Sequence, residues 1–338
     1  MKRLLLLSLL LLFFPLGASA QKDSFWKDLH DFLDMRADKA YARLDSNYLA
    51  RYPYHWDARL FVKSSGLHIT SVGLGEVDLS TGMSNRAGVG VSYRGVELSY
   101  SVALGKTLGF DLGLSSYGSK FGFEYTLRGS SALAGQVTLP GEGTRTAENG
   151  DLTLLASNLN AFYCFNPRFS YSAAMKQAKI QRRSAGSFIA AASWTVWDVM
   201  EAGPEIISRK TSLQTFLDVT NLFYNRFSIG AGYGYNLVLG QAHWLLHASV
   251  IPMWTFYDAT TRRVDGISTR ITHPMGKFAF TGTARAGIYY RWGTRWSVGM
   301  SGVVNQMASS SSLRPGTQGY QRFGAQDWQM RLSFIVRF

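Results

Sequence analysis

A histidine and a serine two residues apart on one strand can act as base and nucleophile in ester hydrolysis, and His247-Ala248-Ser249 has that spacing. Such a pair must also face its substrate. Trp244, Leu246 and Val250 set the apolar face of this stretch, so His247 and Ser249 point the other way, in a segment that starts beside the turn residue Gly240. A pair that cleaves bilayer lipid would face hydrocarbon, so no lipid hydrolysis is expected of it. A protease-like His–Asp set is no better supported, because His273 has only Asp258 and Asp265 for company. His30, His55 and His68 fall on different elements without metal-site spacing. The glycines from Gly88 to Gly95 lie in a strand with no following helix to hold a phosphate. The sequence nominates no catalytic residue, metal ligand or cofactor.

The same alternation assembles a set of charges. Glu97, Asp111 and Glu124 fall on the polar faces of three neighbouring runs, and Lys277, Arg285, Arg291, Arg331 and Arg337 on the polar faces of the last ones. The elements that carry them read as strands. Val96, Leu98, Tyr100 and Val102 alternate with polar residues, as do Phe121, Phe123, Tyr125 and Leu127, and Phe227, Ile229, Ala231, Tyr233 and Tyr235. Eleven such runs follow Trp56, the last of them Trp328, Met330, Leu332, Phe334, Val336 and Phe338.

Residues 1–20 carry Lys2 and Arg3, an apolar run from Leu4 to Leu16 and Ala18-Ser19-Ala20, and read as a secretory signal peptide. No later stretch reaches about 18 consecutive apolar residues, the length of a membrane helix. In an exported chain of this kind the remaining way to cross a bilayer is a closed β-barrel, which satisfies every backbone group within itself. Composition agrees: aromatics make up 14% of the chain and charged residues only 17%. With Cys164 the one cysteine, no intramolecular disulfide can staple the fold. The expected fold is an all-β transmembrane antiparallel up-and-down barrel over residues 58–338, with about 14 strands, or about 12 if the weak 208–222 strand and a neighbour fail. Tight connections are expected at Arg94-Gly95, Tyr117-Gly118, Asn166-Pro167 and Gly293-Thr294, and long outer loops at 131–150, 258–275 and 308–326, with further strands near 58–70 and 168–180. Residues 21–57 form a periplasmic segment whose apolar residues Trp26, Leu29, Leu33, Ala37, Ala40 and Leu44 recur at helical spacing. That helix covers the lower mouth, plugs the lumen or docks a partner.

Residues 58–338 hold 27 basic and 15 acidic side chains. Export and the absence of a basic helix exclude nucleic acid as the partner. Inside a barrel the acid and base groups face each other, with Asp111, Glu124, Arg285 and Arg331 near mid-depth. They act either as the transverse field of an open pore or as buried ion pairs in a filled one. Outside, Arg145, Arg262, Arg263, Arg270, Arg314 and Arg322 form a solvated surface or bridge lipopolysaccharide phosphates.

Several segments resemble an uncharacterised outer-membrane barrel family of Bacteroidota, a domain-of-unknown-function family: Asp45-Ser46-Asn47-Tyr48, the stretch Tyr117 to Phe123, Arg183 to Phe188, and Gly230 to Tyr235. The resemblance implies an outer-membrane barrel and supplies no activity. The terminal strand with Phe334, Val336 and Phe338 likewise resembles the closing strand of Gram-negative barrels, read by the barrel-insertion machinery. The expected function is a porin-like, non-enzymatic passage for small hydrophilic solutes, anionic ones among them, or alternatively a non-conducting structural or assembly barrel that docks a periplasmic partner through residues 21–57. Removing Phe338 is predicted to abolish membrane assembly. Outer-membrane fractions of cells expressing the chain ending at Arg337 check this, and normal levels of folded protein would refute it.

Overall fold

The computed structural model describes residues 22–42, 44–72, 76–105, 107–139, 143–201, 221–264, 267–273, 279–312 and 320–338. The chain divides into two bodies, Met1–Arg43 and Leu44–Phe338. Helix α1, Lys22–Tyr41, belongs to the first.

The second body carries strands β1 (Leu49–Ala50), β2 (Trp56–Val72), β3 (Glu76–Ser80), β4 (Ser84–Tyr93), β5 (Val96–Ala103), β6 (Gly109–Tyr117), β7 (Phe121–Leu139) and β8 (Gly143–Cys164). It continues through helix α2 (Tyr171–Lys176), β9 (Ile180–Gln181), β10 (Ala185–Glu201), β11 (Asn221–Leu239), β12 (Trp244–Val264), β13 (Ile267–His273), β14 (Ala279–Trp292), β15 (Trp296–Ser312) and β16 (Tyr320–Arg337). One sheet holds 14 of these strands, and all its pairs are antiparallel. Within it β2, β4, β5, β6, β7, β8, β10, β11, β12, β14, β15 and β16 pair in a closed ring, while β3 and β13 add on near the outer rim. The closed antiparallel barrel is the expected one, its wall twelve strands around.

The alternation read from the sequence is the wall's inside–outside alternation. Leu60, Phe188, Val250 and Leu332 are exposed, whereas Ile189, Ile251 and Ile335, of opposite parity on the same strands, are buried. Exposed apolar residues in this density suit a surface solvated by lipid rather than water. The turns Arg94-Gly95, Gly240–His243 and Gly293–Arg295 share one end with Trp56 and Phe338, which makes that the periplasmic end. There Trp244, Tyr290, Trp292, Trp296 and Phe334 form a run of ring contacts with centroids 4.7–6.2 Å apart, an interfacial girdle.

Strands β4, β5 and β6 have 10, 8 and 9 residues, about what a tilted strand needs to cross the hydrocarbon. β7, β8 and β12 have 19, 22 and 21 and therefore continue well beyond it. This corrects the expected loops: most of 131–150 and 308–326 and much of 258–275 continue the wall as strand, because hydrogen bonding persists after neither face meets lipid and the apolar alternation fades. β3 bridges β2 to β7 above the ends of the three short strands. The crossing requires Gly135, whose φ is +150° and where a Cβ would lie 2.0 Å from the Asp78 carbonyl oxygen.

The expected strand near 168–180 is instead a turn and helix α2. Phe169, Tyr171, Ala173 and Met175 mimic a period of two, but Ser170 caps the helix by accepting a hydrogen bond from the Ala173 N–H, and Gln177 ends it in the left-handed region at φ 53°. The tight turn expected at Asn166-Pro167 is the start of this 165–184 segment. The 208–222 strand lies outside the described residues except at Asn221 and Leu222, the beginning of β11.

A closed barrel resists detergent, so the unheated protein should run faster on a detergent gel than the boiled one; equal mobility of a water-soluble form would refute the barrel. Gly135→Ala should cost about 1–3 kcal/mol through backbone strain, read as a lowered urea midpoint of the refolded barrel in lipid vesicles.

Candidate functional site

The inward parity of the wall carries three layers of side chains. Toward the outer end, Leu67 and Ile69 of β2, Leu154 of β8, Trp197 of β10, Tyr224 of β11 and Phe323 of β16 join one apolar cluster. Tyr224 and Phe323 stack with centroids 4.5 Å apart although β11 and β16 are not neighbours, so this layer spans the lumen. Arg226 caps it, its guanidinium over both rings and its Nη2 donating to Asp258 at 2.7 Å.

Ion pairs fill the middle. Glu97 takes Arg59 at 3.0 Å, Lys176 at 3.2 Å and Arg331 at 3.5 Å. Asp111 meets Lys63, Arg86 at 3.2 Å and Arg128 at 3.1 Å, and Arg128 reaches on to Asp327 at 2.8 Å. Glu124 accepts from Arg285 at 2.7 Å and from the Tyr117 hydroxyl. Three of the cations also lie over rings: Arg331 over Phe61 at 3.7 Å, and Arg285 over Phe162 at 4.6 Å and Tyr171 at 5.6 Å, with Arg337 over Tyr52 at 3.7 Å nearer the mouth. A cavity of about 80 Å³ remains beside β5 and β6, where Ser99, Ser101, Gly113 and Ser115 are too small to fill it.

Below lies the 165–184 segment, folded back into the lumen. Phe169, Tyr171, Ala174 and Met175 pack on Ile189 and Ile251 of the wall. Its carbonyl groups accept hydrogen bonds from wall side chains: Lys176 from Arg59 at 2.6 Å, Gln177 from Arg337 at 2.9 Å, Ser170 from Asn236 at 3.0 Å. Burial pushes the Lys176 ammonium below its ordinary pKa, against the pull of Glu97. From the periplasmic side β1 pairs with β9, and Asp45 holds Arg168 at 3.1 Å.

The structure brings Glu97, Asp111, Glu124, Arg285 and Arg331 together, with their charges paired across the lumen rather than opposed across water. Arg291 donates to the Ala242 carbonyl at the lower rim, and Arg337 serves the mouth. Lys277 and Arg314 lie outside the described residues. Arg262 and Arg263 are on β12, Arg270 on β13 and Arg145 on β8, while Arg322 is exposed on β16. Phe334 and Phe338 face outward with Val336 half-buried, and the Trp56 and Phe338 backbones exchange hydrogen bonds of 3.0 and 3.2 Å that finish the β2–β16 seam.

Sequence reasoning missed Arg59, Lys63, Arg86, Arg128 and Asp327, whose parity on β2, β4, β7 and β16 gives them away once strand phase is extended to every strand. Nothing local points to Lys176. His247 and Ser249 do face inward, 3.0 Å apart, with His247 Nδ1 2.8 Å from Asn236 Oδ1. Asn236 aims its amide N–H groups at Ser170 and Gln181, so this chain of polar groups pins the re-entrant segment to the wall.

Solved structures similar to this chain include the toluene transporter TodX of Pseudomonas putida, at 11% identity and TM-score 0.32 over 85% of this chain and 91% of that one. The translocator domain of the autotransporter NalP from Neisseria meningitidis is similar at 11% and 0.36, over 94% and 98%. OmpT of Vibrio cholerae follows at 8% and 0.29, over 83% and 96%. Scores of this size inform nothing about this chain's function. No curated protein matches its sequence. Residues 43–314 match the family model DUF4421, a domain of unknown function, so that this outer-membrane β-barrel belongs to the DUF4421 family.

Proposed function

We propose that the barrel is a non-conducting one that anchors an ordered periplasmic cap as a docking platform. What carries this reading is the filling of the lumen at three successive depths: apolar cluster, ion-pair layer and re-entrant segment. A polar middle layer alone would suit passage of hydrophilic solutes, but an apolar layer of stacked rings above it presents a dewetting barrier to any charged solute. The ion pairs act as struts. Several join strands that are not neighbours, as Arg285 of β14 with Glu124 of β7 and Arg128 of β7 with Asp327 of β16.

The platform reading rests on the lower cap. Residues 44–54 are stitched to the 165–184 segment by β1–β9 pairing, by the Arg182 N–H to the Tyr48 carbonyl at 2.7 Å and by Arg168 and Arg183 over the Tyr48 ring at 5.0 and 5.9 Å. Upstream of that cap runs α1, with Phe32 and Met35 exposed one turn apart. Signal peptide 1–20, arm 21–57 and barrel 58–338 are the division this reading uses, with the arm's last part serving as the cap.

The purified full chain should give no stable conductance steps in a planar bilayer, and removing residues 21–43 should leave it silent; steady steps in either form would restore the passage reading. Arg285→Met should destabilise the barrel by about 3–5 kcal/mol, the cost of stranding one partner of a buried pair. Adding Glu124→Gln should recover part of that loss. Additive losses in a urea-unfolding cycle would mean that the two side chains do not act as a pair.

A further inference from the structure

The periplasmic end of the barrel body is strongly basic. Among the described residues, its turns and its cap carry one acidic side chain, Asp45. Against it stand Arg94, Lys120 and Arg295 in turns between wall strands, and Arg168, Arg182 and Arg183 on the re-entrant segment. The two sets meet different surroundings. The wall turns lie at the rim, level with lipid headgroups, whereas the segment enters the mouth inside the ring of strands and residues 44–54 close over it.

The three arginines of the segment converge on one turn, residues 45–48. Arg168 and Arg183 lie over the Tyr48 ring at 5.0 and 5.9 Å, so no more than the sum of those distances separates their guanidinium groups. Arg182 donates from Nη1 to the Ser46 carbonyl at 3.1 Å and from its backbone N–H to the Tyr48 carbonyl at 2.7 Å. Asp45 holds Arg168 at 3.1 Å; among the described residues no carboxylate holds Arg182 or Arg183. All three side chains are exposed. Like charges gathered this closely repel one another and cost stability, so the cluster favours a partner that brings carboxylates.

A single small anion cannot serve guanidinium groups spread around a turn. A chain with charges at regular intervals can, and in an extended peptide alternate side chains fall about 7 Å apart on one face. The same place offers backbone partners. β1 and β9 form a sheet of two strands, so each has an edge without a third strand.

We infer that the turn 45–48 with Arg168, Arg182 and Arg183 is the docking site for an extended acidic segment of a periplasmic protein. This rests on the platform reading and names the chemistry of what docks. The guanidinium groups take the carboxylates through charge-assisted hydrogen bonds, an open edge of the β1–β9 pair takes the backbone, and the placement inside the ring keeps lipid headgroups away.

The test adds a fluorescent twelve-residue peptide of alternating Glu and Thr to the full chain in detergent micelles and follows its anisotropy at low salt, about 50 mM. Saturation at one peptide per chain is expected, with affinity weakened at least tenfold in Arg182→Glu with Arg183→Glu. The same charge change at the rim, Arg94→Glu with Arg295→Glu, should alter affinity less than threefold. Every variant is first shown to keep the fast-running unheated gel band, and the milder Arg182→Gln with Arg183→Gln should weaken binding by a smaller factor. Equal losses from the two Glu pairs overturn the inference, because attraction is then diffuse over the whole basic end. Displacement of the peptide by acetate at equal carboxylate concentration also overturns it, leaving a surface for any small anion. No peptide binding overturns it too, and cosedimentation with isolated peptidoglycan sacculi would then assign the surface to the cell-wall polymer. Bilayer conductance of the same preparation separates the two levels: a silent barrel that binds no peptide refutes this inference alone, whereas conductance steps refute the reading beneath it.

Discussion

A backbone amide left unpaired in hydrocarbon costs several kcal/mol, and the rest of this molecule depends on how the chain avoids that. Twelve strands pair side by side until the last meets the first, with β16 on β2 from Arg337 opposite Asp57 to Arg322 opposite Val72. Once the ring is closed, side chains of one parity must meet lipid and those of the other must fill or line the interior. The exposed face of Leu60, Val89, Phe188 and Leu332 and the buried face of Arg59, Arg86 and Ile189 are two results of a single constraint. It also explains why so many charges are buried in a chain with few of them: the inward face is the one membrane-depth surface where a polar side chain is tolerated.

A wall this wide leaves an interior that no single strand can fill. The chain fills it with its own loop, 165–184, which enters from the periplasmic end. Wall arginines donate to carbonyl groups in that loop, so it is bound by the same guanidinium groups that brace the wall. Arg59 illustrates the economy: one nitrogen takes Glu97 and another the Lys176 carbonyl. Polar pins of this kind set the register of the loop more sharply than apolar packing would, because a hydrogen bond is directional and is lost when the loop slips.

Much of the wall was legible in the sequence because lipid imposes alternation. Phe227 through Tyr235 and Trp328 through Phe338 announce their faces residue by residue, and the parity that follows placed Glu97, Asp111, Glu124, Arg285 and Arg331 inside. Legibility ended where lipid did. Beyond the bilayer, residues 143–147 still pair with 135–139, yet Gly143, Thr144, Arg145 and Thr146 show no apolar alternation, and the stretch reads as loop. The re-entrant helix was misread for the opposite reason: Phe169, Tyr171, Ala173 and Met175 imitate a strand although no lipid touches them, and only Ser170 and Pro167 hint otherwise. Pairing partners were not legible either, since Lys176 meets Glu97 through tertiary folding alone.

The seam between Trp56 and Phe338 joins residues at opposite ends of the barrel sequence, with two backbone hydrogen bonds as its last stitches. Every other backbone pairing in the ring is between strands adjacent in the order of synthesis, or nearly so. The seam alone closes a loop of almost the full barrel length, and loop-closure entropy is repaid only when all its contacts form together. Such a contact forms late, and high contact order of this kind slows folding. Until it forms, the chain is a curved sheet with two open edges, able to pair with any strand presented to it. The aromatic anchors at both ends of this seam thus act kinetically as well as structurally: by holding the two edges at the same interfacial depth, they turn a search in three dimensions into one along the membrane plane.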